Sequence, residues 1–321
     1  MQIVATENTI YTSPDASKIF CYTPSILVTP TGRLIVSFDL GGEGVKSIEG
    51  HKSSRAGGSR FGQGKIFISD DNGQKWTFVQ NFPFWHARLF TIGNSIYLIG
   101  HAGDICIMKS EDNGESWSDT YFLTYGEKWH SSACNVLFSN GNVYLAMEQR
   151  CRLNEVTGWD VAGLSPMLFR ACVEDNLCLA SSWSRSEKFI YKEVFDGAKL
   201  DFFGIPFYDC ETNKPKEIAT GINNAPLGWL EANVVKFVDK DHIWHTDLKE
   251  VFHLFLRAHT GGVNYAHLFK IEIQDDQSMI PSLEHTPSGQ KISYLPFPGG
   301  HLKLIIIYDE LTRFYWLVSN Q

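Results

Sequence analysis

A carboxylate and a guanidinium stand out first. Glu231 lies in Gly228-Trp229-Leu230-Glu231-Ala232-Asn233-Val234-Val235, at the mouth of an apolar run where an unpaired charge is costly. Arg257 closes another apolar run, Leu254-Phe255-Leu256-Arg257, and needs an acceptor, either Glu231 or a substrate carboxylate or hydroxyl. His259 and Tyr265 follow on a Gly-rich loop, and Tyr308 stands beside Asp309 further on. Phe84-Trp85-His86-Ala87-Arg88 puts His86 and Arg88 on one side of a strand by two-residue alternation. His130 follows Trp129, Arg150 ends Glu148-Gln149-Arg150, and His301 follows Gly299-Gly300. Asp39 precedes Gly41-Gly42, and His51 lies in the loop at 43–62. An acid for a leaving oxygen, with a base or nucleophile on the opposite face, is what glycosidic-bond hydrolysis needs. A His or Tyr base with Arg257 gripping a carboxylate would instead serve β-elimination from a uronic acid. A structural ion pair at Glu231, and packing roles for single histidines, stay open beside these readings.

The chain around them has 321 residues, 43% hydrophobic and 20% charged, enough to bury a large core. No stretch approaches the ~20 apolar residues of a spanning helix. The net charge is −8 and no Lys/Arg cluster occurs, so nucleic acid and anionic membrane are poor partners, and a glycan or small saccharide suits better. The seven cysteines include no C-x-x-C pair and read as buried small hydrophobes. No metal and no cofactor is expected, because histidines on separate strands make no zinc site by spacing alone. The N-terminus shows no secretory signal, which by default places the protein inside the cell unless a signal has been removed.

Apolar runs are short, as in Leu34-Ile35-Val36-Ser37-Phe38, Ser95-Ile96-Tyr97-Leu98-Ile99 and Val143-Tyr144-Leu145-Ala146-Met147, and turn formers bound them. Thr31-Gly32, Gly93-Asn94 and Asn140-Gly141 mark hairpins, and no amphipathic helix of three turns is evident. An all-β protein follows. Residues 69–76 (Ser-Asp-Asp-Asn-Gly-Gln-Lys-Trp) and 110–117 (Ser-Glu-Asp-Asn-Gly-Glu-Ser-Trp) both fit S-x-D-x-G-x-x-W, and their starts stand 41 residues apart, the length of one four-stranded propeller blade. Asp71 and Asp112 can accept turn N–H groups, Gly73 and Gly114 permit positive φ, and Trp76 and Trp117 pack the hairpin. A degraded third copy is expected at Asp175–Trp183.

This motif is the Asp box, and with it the chain resembles the sialidase superfamily over about 20–286. The resemblance implies one domain, 1–321: a β-propeller of four-stranded blades, six in the family and about five visible here. Blades are expected at about 20–80, 84–123, 130–190, 228–286 and from 290, with an insertion at 191–227. A strand at 2–12 is expected to close the ring, unless the chain lacks its last blade. His86, His130 and His301 then open blades two, three and five. Thr23-Pro24-Ser25 is similar to the first-arginine segment of sialidases, with Tyr22 where that arginine stands. A phenol cannot replace a bidentate guanidinium, so standard sialic acid is an unsuitable substrate. The segment around Glu231 is similar to the one whose Glu activates a tyrosine nucleophile, here Tyr265 or Tyr308. Arg257 falls at the family's second arginine, and Asp39 and His51 are the nearest stand-ins for the acid. The expectation is a sialidase-like hydrolase acting on a terminal sugar; a polysaccharide lyase on the same fold and a non-catalytic sugar-binding propeller are the alternatives.

Overall fold

Alternating apolar residues between Gly, Asn and Pro turns can satisfy their backbone groups only by pairing with neighbouring strands, and they do so here as consecutive antiparallel sheets. The computed structural model describes residues 7–54, 61–151, 161–194, 216–219, 222–224, 228–258, 265–300 and 302–319. Its contacts divide into two units, Met1–Ala133 with Asn176–Ala180, and Cys134–Asp175 with Ser181–Gln321.

In the first unit Phe20–Val28, Leu34–Gly41, Phe61–Ser69 and Thr77–Phe82 form a meander, with Ser53–Ser54 added beside Phe61. Trp85–Ile92, Ser95–Ala102, Asp104–Ser110 and Tyr121–Phe122 form a second. Ile35, Ile66, Phe82, Phe84, Leu89 and Leu98 are buried together between them. Each such side chain contributes roughly 1.5–3 kcal/mol of burial.

The two S-x-D-x-G-x-x-W copies fold alike, bond for bond. Ser69 Oγ donates to Asp71 Oδ1 at 2.9 Å and accepts from the Gly73 N–H at 2.9 Å. The Lys75 N–H donates to Asp71 at 2.8 Å, and Trp76 Nε1–H to the Gly73 carbonyl at 3.0 Å. Ser110, Asp112, Gly114, Ser116 and Trp117 repeat these four bonds at 2.8, 2.9, 2.9 and 3.3 Å. Arg33 ties the copies together, with both nitrogens of its fork on Asp70 and a third bond to Glu115. The segment expected to hold a third copy differs: it turns at Cys172–Asp175 and coils into a 3₁₀ turn at Ala180–Ser182, since no serine stands two residues before Asp175 to brace it.

In the second unit Leu137–Ser139, Asn142–Arg150, Leu164–Cys172 and Ser184–Arg185 form one meander. Trp229–Val235, Val251–Ala258, Tyr265–Ile273 and Met279–Ser282 form the next, and Tyr294–Pro296 pairs with the other end of Tyr265–Ile273. Asn140 and Gly141 both take positive φ, the backbone of a two-residue hairpin that suits strand twist. Tyr144, Leu168, Trp229, Phe252, Leu254, Phe269 and Ile271 are buried between the two sheets.

The chain is thus all-β and built of propeller-blade meanders, as expected. Three details differ from expectation. Residues 7–12 are not a strand; Ile10 and Tyr11 pack on the Phe38/Phe67 cluster of the first sheet. The last sheet is a hairpin, Leu304–Asp309 with Phe314–Ser319, rather than a full blade. Most of the expected insertion at 191–227 lies outside the described residues. Of the described cysteines, Cys106, Cys134 and Cys178 are buried, whereas Cys21 is exposed.

Candidate functional site

Three first strands carry the same irregularity. The ladder slips between Tyr22 and Ser25, between Trp85 and Arg88, and between Leu230 and Asn233. At each slip a non-glycine residue takes the left-handed backbone: Thr23 at φ 47°, His86 at 54° and Glu231 at 58°. A side chain there costs about 1–2 kcal/mol, and such strain collects at functional positions. The residue before each bulge faces the end of the second strand: Tyr22 opposite Asp39, Trp85 opposite His101, Leu230 opposite Arg257. Glu231 therefore has His86 and Thr23 as its counterparts.

In the second unit the two residues singled out first are together. Arg257 Nη1 lies 3.5 Å from Glu231 Oε2, with side chains 18% and 12% exposed. Glu148, fully buried on Asn142–Arg150, accepts the Ala232 N–H on its Oε1 at 3.1 Å and so holds the bulge from the preceding sheet. Asn233 clasps the following hairpin, donating to the Leu304 carbonyl and accepting the Ile306 N–H. Trp229 anchors the strand, with Nε1–H on the Leu164 carbonyl at 3.2 Å. Tyr265 opens the third strand next to Ala266, the register partner of Arg257, and is half-buried. Arg150, half-buried, stands two residues beyond Glu148. His259 lies outside the described residues. His267 lies against Trp229 and Tyr294, and burial pushes its imidazole down to about 3, so it stays neutral near pH 7.

Tyr308 does not join this group. It packs on Tyr315 (ring centroids 4.8 Å apart) and lines an apolar cavity of about 910 Å³ with Val235, Phe237 and Phe255. Asn233 meets the Leu304–Asp309 strand at residues 304 and 306, so Tyr308 falls beyond that clasp, beside Val235 and away from Glu231.

The first unit brings histidines together. His86 Nδ1 lies 3.4 Å from Nε2 of His101, and the His130 ring is 5.3 Å from that of His86 and 6.1 Å from that of His101. His101 and His130 are buried, 1% and 4% exposed; His86 is half-buried. Asp39 is fully buried and accepts the His86 N–H on Oδ1 at 3.0 Å. That places Asp39 behind the bulge as a support, in the role Glu148 plays for Ala232, and corrects its assignment as the acid. Its charge, after burial, pushes the Cys21 thiol up. The bulge also breaks the alternation that was to put His86 and Arg88 on one side: Arg88 is buried and His86 is not. Tyr22 is 46% exposed and covers Gly41, while the bulge position beside it belongs to Thr23. His51 is exposed. His301 lies outside the described residues.

No protein-family model matches the chain, and no curated protein matches it in sequence. Among solved structures it is similar to the α-L-arabinanase of Penicillium chrysogenum complexed with arabinobiose, at TM-score 0.48 and 11% identity over 96% of this chain and 78% of that one. An α-L-arabinofuranosidase from Lactobacillus brevis gives 0.46 and 12% over 84% and 80%. The NanB sialidase of Streptococcus pneumoniae gives 0.49 and 9% over 93% of this chain and 52% of that one. At such values the likenesses carry nothing about activity or substrate, and the site stands on its own geometry.

Glu148 and His101 are the site residues that sequence reasoning missed. Both carry a legible mark: each follows an apolar run near the end of a second strand, His101 after Tyr97-Leu98-Ile99-Gly100 and Glu148 after Tyr144-Leu145-Ala146-Met147, as Asp39 does.

Proposed function

We propose that the chain is a glycoside hydrolase of the sialidase superfamily that acts on a terminal, uncharged sugar. The observation that supports this is the Glu231–Arg257 pair: a carboxylate strained into a left-handed bulge, braced by Glu148 and 3.5 Å from a guanidinium. A purely structural ion pair has no need of the strained backbone. In this reading Glu231 is the base or the activator of a nucleophile, with Tyr265 the nearby phenol. Arg257 orients the carboxylate and donates to a sugar hydroxyl. Because Glu231 already balances Arg257, a neutral sugar fits the pair better than a substrate carboxylate that would compete for the same guanidinium. Tyr22, at the position of the missing arginine, points the same way.

A panel of terminal monosaccharide glycosides, offered to the wild type and to Glu231→Gln, tests the reading. The expected result is turnover of at least one neutral glycoside, reduced about 100-fold or more by the substitution. Products that absorb in the ultraviolet would reassign the chain to the lyases. A protein that neither binds nor turns over any sugar would end the enzyme reading.

A further inference from the structure

We propose that the cavity shared by the Trp229–Val235 sheet and the terminal hairpin is a binding site for a neutral aromatic alcohol. The inference goes beyond the hydrolase reading and does not depend on it. The cavity lies within the second unit, beside Val235 and beyond the Asn233 clasp.

Its wall is a continuous chain of rings. Tyr308 lies 4.8 Å from Tyr315 between centroids, Tyr315 5.8 Å from Phe237, Phe237 6.3 Å from Phe255, and Phe255 5.6 Å from Phe297. The His242 ring stacks on Phe237 at 3.8 Å, with 5° between the planes. Bonds hold the rings in place. The Tyr315 hydroxyl donates to the Lys236 carbonyl at 2.5 Å and accepts the Val238 N–H at 3.4 Å. Nδ1 of His245 lies 2.8 Å from the Phe237 carbonyl, and the Gly300 N–H donates to the Phe297 carbonyl at 2.9 Å. The wall is therefore formed before a ligand arrives, around a volume of about 910 Å³, within the range of small-molecule sites. Fixed rings favour a ring as guest, because faces and edges can meet in tilted or stacked pairs that an alkyl chain cannot make.

The mouth decides the charge of the guest. Asp239 and Glu310 stand there against Lys240 and Arg313, so the formal charges cancel. Lys240 also lies 3.9 Å from Asp247. Burial, and after it His253, hold the His242 imidazole below its ordinary value, so it adds no charge near neutral pH. No excess of either sign is left to draw in an ion. One polar group remains for orientation: among the described residues the Tyr308 hydroxyl has no hydrogen-bond partner, whereas that of Tyr315 is engaged. A single hydroxyl on the guest can pair with it. A sugar does not suit this wall, since most of its hydroxyls would be buried against apolar carbon without partners.

Isothermal titration of the full chain with 2-naphthol tests the site. The expected result is one saturable site with a Kd tighter than about 1 mM. Proton NMR should show cross-relaxation from the bound naphthol to the rings of Phe237 and Tyr315. The anionic 2-naphthoate and the alkyl 1-decanol should each bind about tenfold or more weakly. Leu317→Trp, which fills the cavity, should weaken 2-naphthol at least about tenfold, and Tyr308→Phe about threefold or more. If Leu317→Trp does not fold, the NMR contacts of the wild type decide the location. No saturable binding, contacts to other rings, or naphthoate or decanol binding as tightly as naphthol overturns the proposal. So does unchanged affinity in a folded Tyr308→Phe protein. A dimer in sedimentation that 2-naphthol dissociates would assign the cavity to a second copy of the chain, and overturns it too.

Discussion

Replacing Glu231 separates the strain at the bulge from the value of the side chain. Glycine takes a φ of 58° freely, whereas alanine pays about 1–2 kcal/mol there, the penalty for crowding Cβ against the following carbonyl. Both substitutions delete the carboxylate. At 3.5 Å and an effective dielectric constant near 20, the bare attraction to Arg257 is about 5 kcal/mol. Desolvation and partial exposure reduce that to about 1–2 kcal/mol net. Glu231→Ala should therefore lose about 2 kcal/mol, since it keeps the strain and leaves Arg257 without its carboxylate. Glu231→Gly should lose about 1 kcal/mol less than the alanine variant, even though its unfolded chain is the more flexible. At an ordinary strand position the order is the opposite, with glycine worse than alanine by about 0.5–1 kcal/mol. Urea denaturation read as the difference in midpoint times slope measures this directly. Alanine at 231 proving as stable as glycine, or more so, would mean the bulge is not strained in solution. An unstrained Glu231 would carry no mark that separates it from a structural ion pair.

Other outcomes follow from the same geometry. Glu148→Ala should cost about 3 kcal/mol, since it removes a charge-assisted bond to the Ala232 N–H and leaves a buried gap; Glu148→Gln, which keeps the shape and an acceptor, should cost clearly less by the same denaturation assay. Gly114→Ala should destabilise more than Gly73→Ala: both force a positive φ, but at 114 the new methyl meets Ile35 Cδ1 at 2.5 Å while at 73 its nearest neighbour is 3.4 Å away, and thermal midpoints should rank them so. Because His267 is held down to about 3, only the unfolded chain protonates it below its ordinary value of 6.5; stability should fall by roughly 1.4 kcal/mol per unit as pH drops from 6.5 toward 5, with His253 adding in the same direction, and His267→Gln should flatten that slope in urea titrations. Tyr308→Phe should leave turnover of any active glycoside within about twofold of wild type, because the phenol lies beside Val235 and beyond the Asn233 clasp; a loss of 100-fold would return Tyr308 to the site.

Much of the architecture is legible in the sequence. Two copies of S-x-D-x-G-x-x-W announced blades because each residue has a local mechanical task, and the observed bonds within 69–76 and 110–117 are those tasks carried out. Glu231 and Arg257 were readable as a pair because charge beside apolar runs demands a partner. The bulges were not readable. A slip of register at Thr23, His86 and Glu231 leaves no mark in composition, and it defeats period-two reasoning, as Arg88 shows. Asp39 was misassigned because a carboxylate at a strand end looks the same whether it faces a ligand or a neighbouring main chain. Tyr308 was misplaced because residue type alone says nothing about which end of its strand it occupies.

Asp39 and Glu148 grip amide hydrogens, and an amide is common to every residue but proline. The socket is therefore indifferent to what it displays. A lineage could exchange the histidine of one bulge, or the glutamate of another, without rebuilding the frame beneath. The changes such a frame would forbid are proline at 86 or 232, where the gripped hydrogen itself would vanish.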